Sequence, residues 1–187
     1  MIFQIFNKDI LEVLTVFSIS PGSRFLRKEL KEMTKLNNVN MDNALNILSG
    51  SKIIKKENRF LFLNLESAKP IINLVSEQYK ELRELPLGVY FSIVTLIFYL
   101  SKLRGIDAYL FGSYAKLVFK ETSDIDMAIV SDKVIAADKK EINVLIQKIN
   151  SRYGKKIEIH YFGKNFYKNK NDSLVKEILK NGIKLVW

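Results

Sequence analysis

"LFGSYAKLVFKETSDIDMAIV", residues Leu110–Val130, decides the fold of the second half of this 187-residue chain. It contains two apolar runs, each as long as a buried strand, separated by a polar connection. Asp124 and Asp126 nevertheless lie two residues apart at the start of the second run. Because strand side chains alternate faces, the two carboxylates share one face about 6.6 Å apart, while Ile125 and Met127 fill the other. The sequence therefore predicts an acidic patch on an otherwise apolar strand.

Two acids on one strand face indicate a cation site. Neighbouring carboxylates repel each other, and burying them without a partner is unfavourable. Mg²⁺ takes oxygen ligands, commonly one or two carboxylates together with substrate phosphates. Two such ions about 3.5–4 Å apart can hold the attacking and leaving oxygens of a phosphoryl displacement. We therefore expect two Mg²⁺ ions that bind together with a nucleotide.

The residues upstream of the acids suit a phosphate. Gly112 and Ser113 follow the first apolar run and open a helical turn. A glycine lets the backbone approach a ligand closely, and the free N–H groups and dipole of a helix start favour a phosphate. Lys116 and Lys120 add positive charge nearby. This order predicts a triphosphate site beside the metal pair.

"GSYAKLVFKETSDID" resembles the Gly-Ser, ten residues, Asp-x-Asp signature of the DNA polymerase beta nucleotidyltransferase superfamily. The ten intervening residues are Tyr114 to Ser123. The stretch is most similar to the minimal nucleotidyltransferase branch, which usually has Gly-Ser-x-Ala-Arg/Lys-Gly and Ser-Asp-x-Asp. The resemblance covers about residues 87–187. It implies a small mixed sheet with flanking helices, a phosphate held by Ser113, and a third acid on a later strand.

Glu158 is the candidate for the third acid. In "KKIEIHYF" the alternation puts Glu158 and His160 on one strand face. A solvent-facing role for Glu158 is the alternative, and His160 fits a structural or solvated role better than a catalytic one. The predicted catalytic and metal-binding residues are Asp124, Asp126 and Glu158, and the predicted nucleotide-binding residues are Gly112, Ser113 and Lys116.

One position departs from the pattern of this branch. Where glycine usually follows the basic residue, this chain has Leu117, followed by Val118 and Phe119. A bulkier, more apolar turn predicts weakened or lost catalysis. An inherited but inactive site is therefore the alternative to an active enzyme.

The first third of the chain has the rhythm of three helices and a hairpin. Apolar residues recur at helical spacing in three segments that "SPGS" and "NNVN" separate. "KIIKKENRFLFLNL" then gives two β-prone runs around a polar turn. This order resembles a winged helix-turn-helix domain. We therefore expect an α/β (α+β) chain with a winged helix-turn-helix at 1–66, a connecting helix at 67–86 and a nucleotidyltransferase domain at 87–187.

The helix-turn-helix pattern raises the question of DNA. The third helix carries several Asn but no basic residue. Asn can read adenine in the major groove, and basic side chains on the second helix and the wing can meet phosphates. Dimerisation or protein docking is the alternative role for such a module. The predicted DNA-binding residues are Arg24, Arg27, Lys28, Asn40, Asn43, Lys55, Lys56 and Arg59.

Composition narrows the class of protein. The formal net charge is +10, which favours polyanionic partners. No cysteine is present, so disulfides are excluded and a reducing cytoplasm is expected. The apolar run Leu87–Leu100 is shorter than the roughly 18 residues that a membrane span needs, and the chain start lacks the basic region of a secretory leader. No membrane association is expected.

These features together predict a function. We expect a Mg²⁺-dependent enzyme that transfers a nucleoside monophosphate from an NTP, with ATP favoured, to a hydroxyl and releases pyrophosphate. The resemblance implies antitoxin-like relatives, in which the acceptor is a protein or a toxin partner, and a homodimer is an option. The alternative is a DNA-binding regulator whose transferase-like domain only senses nucleotide.

Overall fold

The computed structural model describes residues 7–80, 82–103, 105–134 and 136–186. The chain divides into two compact units, Met1–Phe91 and Ser92–Trp187. Within the described ranges, no helix has both the length and the apolar character that crossing a bilayer requires. Each unit has its own sheet, so we describe them in turn.

The first unit combines helices with a small antiparallel sheet. Two of its helices begin at asparagines whose side chains accept backbone N–H groups at 2.8 Å, Asn7 from Asp9 and Asn37 from Asn40. The sheet order is β1-β3-β2. In chain order, the elements are α1 (Lys8–Ile19), β1 (Phe25–Leu26), α2 (Arg27–Thr34), α3 (Asn38–Gly50), β2 (Ile54–Glu57), β3 (Phe60–Leu63) and α4 (Leu65–Lys80).

The helices and hairpin of this unit follow the sequence pattern closely. Most of the apolar residues that predict α1 to α3 are buried, including Leu14, Leu30 and Met41, whereas Leu26 and Met33 of the second stripe are only partly buried. Asn58 has φ 54° in the two-residue loop between β2 and β3, a conformation that Asn tolerates in hairpin turns. The two-residue strand β1 was not predicted, and the connecting helix predicted at 67–86 spans Leu65–Lys80.

The second unit is a mixed sheet flanked by helices. Strand β5 pairs antiparallel with β4 and parallel with β6, and β7 pairs antiparallel with the other edge of β4. The prediction of a mixed α/β chain is confirmed. Its elements are α5 (Leu87–Leu100), which contains the boundary between the units, β4 (Asp107–Phe111), α6 (Gly112–Ala115), β5 (Ile125–Val130), α7 (Ala136–Tyr153), β6 (Ile157–Phe162), a 3₁₀ helix (Lys164–Lys168), α8 (Ser173–Asn181) and β7 (Ile183–Val186).

One face of this sheet changes from apolar to acidic along β5. Ala128 and Val130 join a core formed with Phe166 of the 3₁₀ helix and Ile178 of α8. Asp126 is on the same face, because strand side chains alternate, and it lies where that core ends. The strand predicted for 124–130 begins one residue later, at Ile125, so Asp124 immediately precedes it.

Candidate active site

The end of β4 and the start of β5 bring the Gly-Ser turn to the acids. Phe111 is the cross-strand partner of Asp126, so Gly112 follows directly beside the aspartate. Gly112 has φ +71°, and a β-carbon at this position would collide with the Asp126 carboxylate. Only glycine combines this left-handed backbone with so close an approach. The predicted proximity of the two motifs thus follows from strand pairing.

The helical turn after Gly112 is short and ends in a recognisable cap. The N–H of Val118 donates to the carbonyl of Ser113 at 3.0 Å, and that of Leu117 to the carbonyl of Tyr114 at 3.3 Å. This pair of bonds is a Schellman motif, whose left-handed position is usually glycine. Leu117 occupies that position with φ 57°. The glycine expected by resemblance therefore has a conformational reason.

Leu117 changes the turn in a different way from that expected from its bulk. Its side chain is 53% exposed and therefore extends largely into solvent. What it adds is backbone strain, since a left-handed conformation costs an ordinary L-residue roughly 1–2 kcal/mol. The predicted loss of activity through crowding has no packed contact to support it.

Aromatic packing holds the ten-residue connection between the two motifs. Tyr114 is buried, and its ring stacks on that of Phe119 with centroids 4.6 Å apart. Its hydroxyl donates to the carbonyl of Ser123 at 3.4 Å, and the Ser123 hydroxyl accepts the N–H of Lys120 at 2.9 Å. These contacts fix the connection as far as Ser123, which immediately precedes Asp124. Sequence reasoning missed this role of Tyr114 and Phe119.

The parallel pairing of β5 and β6 brings in the third acid. Asp126 and Glu158 are register partners, so their side chains lie side by side on one face. The side chains of Asp124 and Glu158 are 36% and 50% exposed. Three carboxylates thus lie at one corner of the sheet, with those of Asp124 and Glu158 accessible to solvent and that of Asp126 partly buried.

A lysine that the sequence analysis did not single out lies among these acids. The ammonium of Lys156 is 2.5 Å from a carboxylate oxygen of Asp124 and 3.5 Å from one of Glu158. The contact with Asp124 raises the pKa of Lys156. The alternation of β6 predicts only the face of Glu158, whereas Lys156 precedes the strand and has no position in that pattern.

The electrostatics of the site centre on Asp126. Burial raises the pKa of its carboxyl, and the negative charges of Glu158 and Asp124 raise it further, while His160 and Lys156 lower it. A carboxyl group whose pKa is raised both by burial and by neighbouring negative charges is typical of functional sites.

His160 lies next to Glu158 as the strand alternation predicted. Its Nε2 is 3.6 Å from a Glu158 oxygen, and its ring packs edge-on against Phe111 with centroids 5.4 Å apart. The ring contact gives His160 a packing role at the border between the acids and the apolar core.

Lys116 makes an ion pair outside the acidic cluster. Its ammonium contacts the carboxylate of Glu177 on α8, and this contact lowers the pKa of Glu177. The lysine therefore fastens the short turn α6 to α8. Any contact with a phosphate has to compete with this pair.

The three acids offer the oxygen ligands that a hard cation prefers, but their side chains are not arranged as a formed metal site. Over the described ranges, no group of three or more acidic or histidine side chains is arranged to hold an ion. Asp124 and Asp126 still offer the carboxylate oxygens that Mg²⁺ prefers, and a triphosphate supplies the remaining ligands. Burial, and after it the neighbouring carboxylates, raise the pKa of Asp126, and a bound cation would offset this unfavourable negative charge.

The predicted DNA-binding basic residues of α2 and the preceding turn make ion pairs within the first unit. Arg24 contacts Glu57 at 2.7 Å and lies 4.7 Å from the Phe62 ring centroid. The other two pairs are Arg27 with Asp42 at 2.7 Å and Lys28 with Glu32 at 3.7 Å. These arginines and this lysine are therefore partly neutralised by neighbours.

The remaining candidates lie on α3 and the hairpin. Asn40 is half-buried in the first turn of α3, and its N–H bonds the Asn37 cap. Asn43 is exposed on that helix between Val39 and Ile47, which are 67% and 52% exposed. The basic residues of the hairpin are all exposed, namely Lys55, Lys56 and Arg59.

Comparison with known proteins agrees with this reading of the second unit. The sequence model of the nucleotidyltransferase domain family matches residues 95–185, just under half of the chain. No curated protein matches the chain. The matched region contains the Gly-Ser turn, the three acids and Lys156. It supports placing this part of the chain in the nucleotidyltransferase superfamily.

Proposed function

We propose that this protein transfers a nucleoside monophosphate from Mg²⁺-NTP, with ATP favoured, to a hydroxyl acceptor and releases pyrophosphate. The observation that carries the proposal is the meeting of Gly112 with Asp126, with Glu158 in register on the next strand. The nucleotidyltransferase match supports nucleotide transfer in general.

The triphosphate is assigned to the turn at Gly112 and Ser113. Gly112 allows the phosphate to approach the backbone, and the half-buried Ser113 offers a hydroxyl beside it. Helix α6 is a single turn, so its dipole contributes little, and the backbone N–H groups and the hydroxyl carry the binding. Lys116 adds positive charge when it leaves Glu177.

Asp124 and Asp126, with Glu158, are proposed to hold the metal ions. Bound Mg²⁺ would neutralise the charge that develops on the attacking and leaving oxygens. Asp126, whose pKa is raised by burial, would gain most from this neutralisation. Glu158 is the more exposed acid and is assigned to the acceptor side, where it takes the proton from the attacking hydroxyl.

A macromolecular acceptor suits the openness of the acidic corner. Asp124 and Glu158 are both accessible to solvent, so a side chain on a protein surface can reach them without a closed pocket. We therefore propose a protein hydroxyl as acceptor. A toxin partner, as in antitoxin-like relatives, is one such protein.

Labelled-nucleotide transfer tests this function. The full chain is incubated with Mg²⁺, each α-labelled NTP in turn and an extract of its host, and labelled macromolecules are identified. Label should appear with the wild type and disappear with Asp124→Asn, because an amide keeps the shape but cannot hold the cation. Mg²⁺-NTP binding without any transfer would instead support a nucleotide sensor.

The first unit favours a second function, which is DNA binding. We propose that residues 1–66 form a winged helix-turn-helix and that 67–86 connect it to the nucleotidyltransferase domain at 87–187. Support comes from three helices followed by a hairpin whose β3 also pairs with β1. The exposed basic hairpin side chains suit duplex phosphates. Exposed Val39 and Ile47 beside Asn43 also fit a protein partner or a second copy.

A further inference from the structure

Lys156 has a fixed backbone and a movable side chain. Its carbonyl accepts the N–H of Ile125 at 2.8 Å, which anchors the residue at the start of the β5–β6 pairing. Its side chain is 63% exposed. A lysine ammonium is a strongly hydrated point charge on a flexible stem. Lys156 can therefore leave its carboxylate partners without disturbing the sheet.

The present partners of Lys156 are proposed metal ligands. Its ammonium lies 2.5 Å from Oδ2 of Asp124 and 3.5 Å from Oε2 of Glu158. A divalent cation that binds the same oxygens must displace the ammonium, since two positive charges cannot occupy one position. Lys156 and a metal ion therefore compete for this corner of the sheet.

The displaced ammonium needs a new anionic partner. Free Mg²⁺ brings only positive charge, so its binding leaves Lys156 beside a site that has become less negative. A metal bound to a triphosphate brings phosphate oxygens to the same corner, and these accept the displaced ammonium. The geometry thus favours the metal-nucleotide complex over the free ion.

Resting on the proposed nucleotidyltransferase function, we propose that Lys156 is an exchangeable counter-ion that couples metal binding to nucleotide binding. Without a divalent cation, Lys156 partly neutralises Asp124 and Glu158 and weakens the binding of free metal. When Mg²⁺-NTP arrives, the metal takes the carboxylates and Lys156 moves to the phosphates. Lys156 is a ligand-binding residue in this scheme, and it admits metal chiefly as a nucleotide complex.

Lys155 provides a matched control. It carries the same charge one residue earlier, but its ammonium donates to the backbone carbonyl of Glu121 at 2.5 Å. Replacing either lysine by glutamine removes one positive charge from the same region. Only replacement of Lys156 removes the contact with the carboxylates.

The test measures Mn²⁺ binding by electron paramagnetic resonance, with and without α,β-methylene ATP. Lys156→Gln should bind free Mn²⁺ roughly tenfold more tightly than the wild type, the order expected for removing one adjacent charge. The increase in Mn²⁺ affinity caused by the nucleotide analogue should fall by a similar factor. The Mn²⁺ affinity of Lys155→Gln should stay within roughly twofold of that of the wild type. Lys156→Arg should retain most of the coupling between metal and nucleotide binding.

Asp126→Asn separates the two proposals. If this variant loses Mn²⁺ binding while Lys156→Gln behaves like the wild type, the counter-ion role is overturned and the metal assignment stands. If Asp126→Asn binds Mn²⁺ as the wild type does, the metal assignment itself is wrong. Equal effects of Lys155→Gln and Lys156→Gln would also overturn the counter-ion role, because net charge alone would explain them. Unchanged thermal unfolding midpoints verify folding of the lysine variants.

Discussion

Leu117 carries a left-handed backbone with a side chain that disfavours it. At φ 57° it closes the Schellman motif after α6, a position that glycine fills without strain. The hydrogen bonds of Val118 and Leu117 compensate by satisfying the carbonyls of the turn. The presence of Leu117 where glycine is usual therefore affects the stability of the turn first, and the chemistry of the site only indirectly.

Leu117→Gly should raise the free energy of unfolding by up to about 1 kcal/mol, because relief of the left-handed strain exceeds the added backbone entropy of glycine. NTP affinity should be equal or higher, since the turn keeps its hydrogen bonds. Denaturant unfolding and nucleotide titration measure the two effects. Leu117→Ala is the control, because it removes bulk but keeps the β-carbon. An affinity gain in the alanine variant would mean that bulk, and not strain, limits the turn.

Asp126→Asn should stabilise the fold at neutral pH. Burial raises the pKa of Asp126, so the folded chain holds its proton more tightly than the unfolded chain does. Stability from this group is present at low pH and is lost as pH rises through the folded pKa. The variant should therefore melt roughly 1–3 °C higher at pH 7. The gain in melting temperature should vanish as pH falls below the usual carboxyl pKa of about 4, where the wild-type aspartic acid and the asparagine of the variant are both neutral.

Asp42→Asn gives the opposite sign as a control. The hydrogen bond from Arg27 lowers the pKa of Asp42, so its contribution to stability is present above the usual carboxyl pKa and is lost on acidification. Its replacement should lower the melting temperature at pH 7. A lower melting temperature for Asp126→Asn at pH 7 would show that its carboxylate makes a net favourable interaction in the fold.

Glu158→Gln should separate chemistry from binding. Because Glu158 is assigned to the acceptor proton, transfer should fall by roughly two orders of magnitude or more while most Mg²⁺-NTP affinity remains. Single-turnover transfer and equilibrium nucleotide binding measure the two quantities. His160→Ala should have a much smaller effect on transfer. Transfer at the normal rate in Glu158→Gln would remove Glu158 from the mechanism.

At the scale of elements, the face on which each strand side chain lies could be predicted from the sequence better than the pairing between strands. The apolar residues of β5 and β6 alternate with the acids, so the shared face of Asp126 and Glu158 could be predicted. Their direct register could not, because it depends on the parallel crossover through α7, which leaves no local mark in the sequence. The same applies to Lys156, whose position between two acids exists only once β6 lies beside β5.

Short elements without periodicity were also beyond sequence reasoning. Strand β1 has two residues and forms only through pairing with β3. The 3₁₀ helix that contributes Phe166 to the core has no repeat long enough to detect. The left-handed turns at Leu117 and Lys52 likewise depend on bonds to neighbouring residues, since neither residue type favours that conformation.

The hairpin β2–β3 carries the DNA prediction. If residues 1–66 bind duplex through exposed Lys55, Lys56 and Arg59, affinity should fall steeply with salt. Neutralising all three side chains should reduce the salt slope by nearly one unit for each lost phosphate contact. Fluorescence anisotropy at several salt concentrations measures the slope. Neutralising Lys139, Lys140 and Lys148 on α7 controls for net charge, and equal slopes in the two triple variants would argue for a protein-docking role.

At the scale of the whole molecule, charge and composition constrain little beyond the kind of partner. The net charge of +10 suits nucleotides and duplex DNA alike, so it cannot divide the two proposed functions between the units. The fold of the second unit and its family match constrain the reaction much more closely. The two proposals depend instead on local groups of side chains, acids at the corner of one sheet and basic residues on the hairpin of the other.

The parallel pairing of β5 and β6 also has a consequence for how the chain folds. Asp126 and Glu158 are distant in sequence and become neighbours only after helix α7 has carried the chain across the sheet. Contacts between distant segments require slow loop closure, so this corner assembles late. During synthesis, the Gly-Ser turn and both aspartates emerge well before Glu158. A growing chain therefore acquires the complete acidic corner only after β6 has been synthesised and has paired with β5.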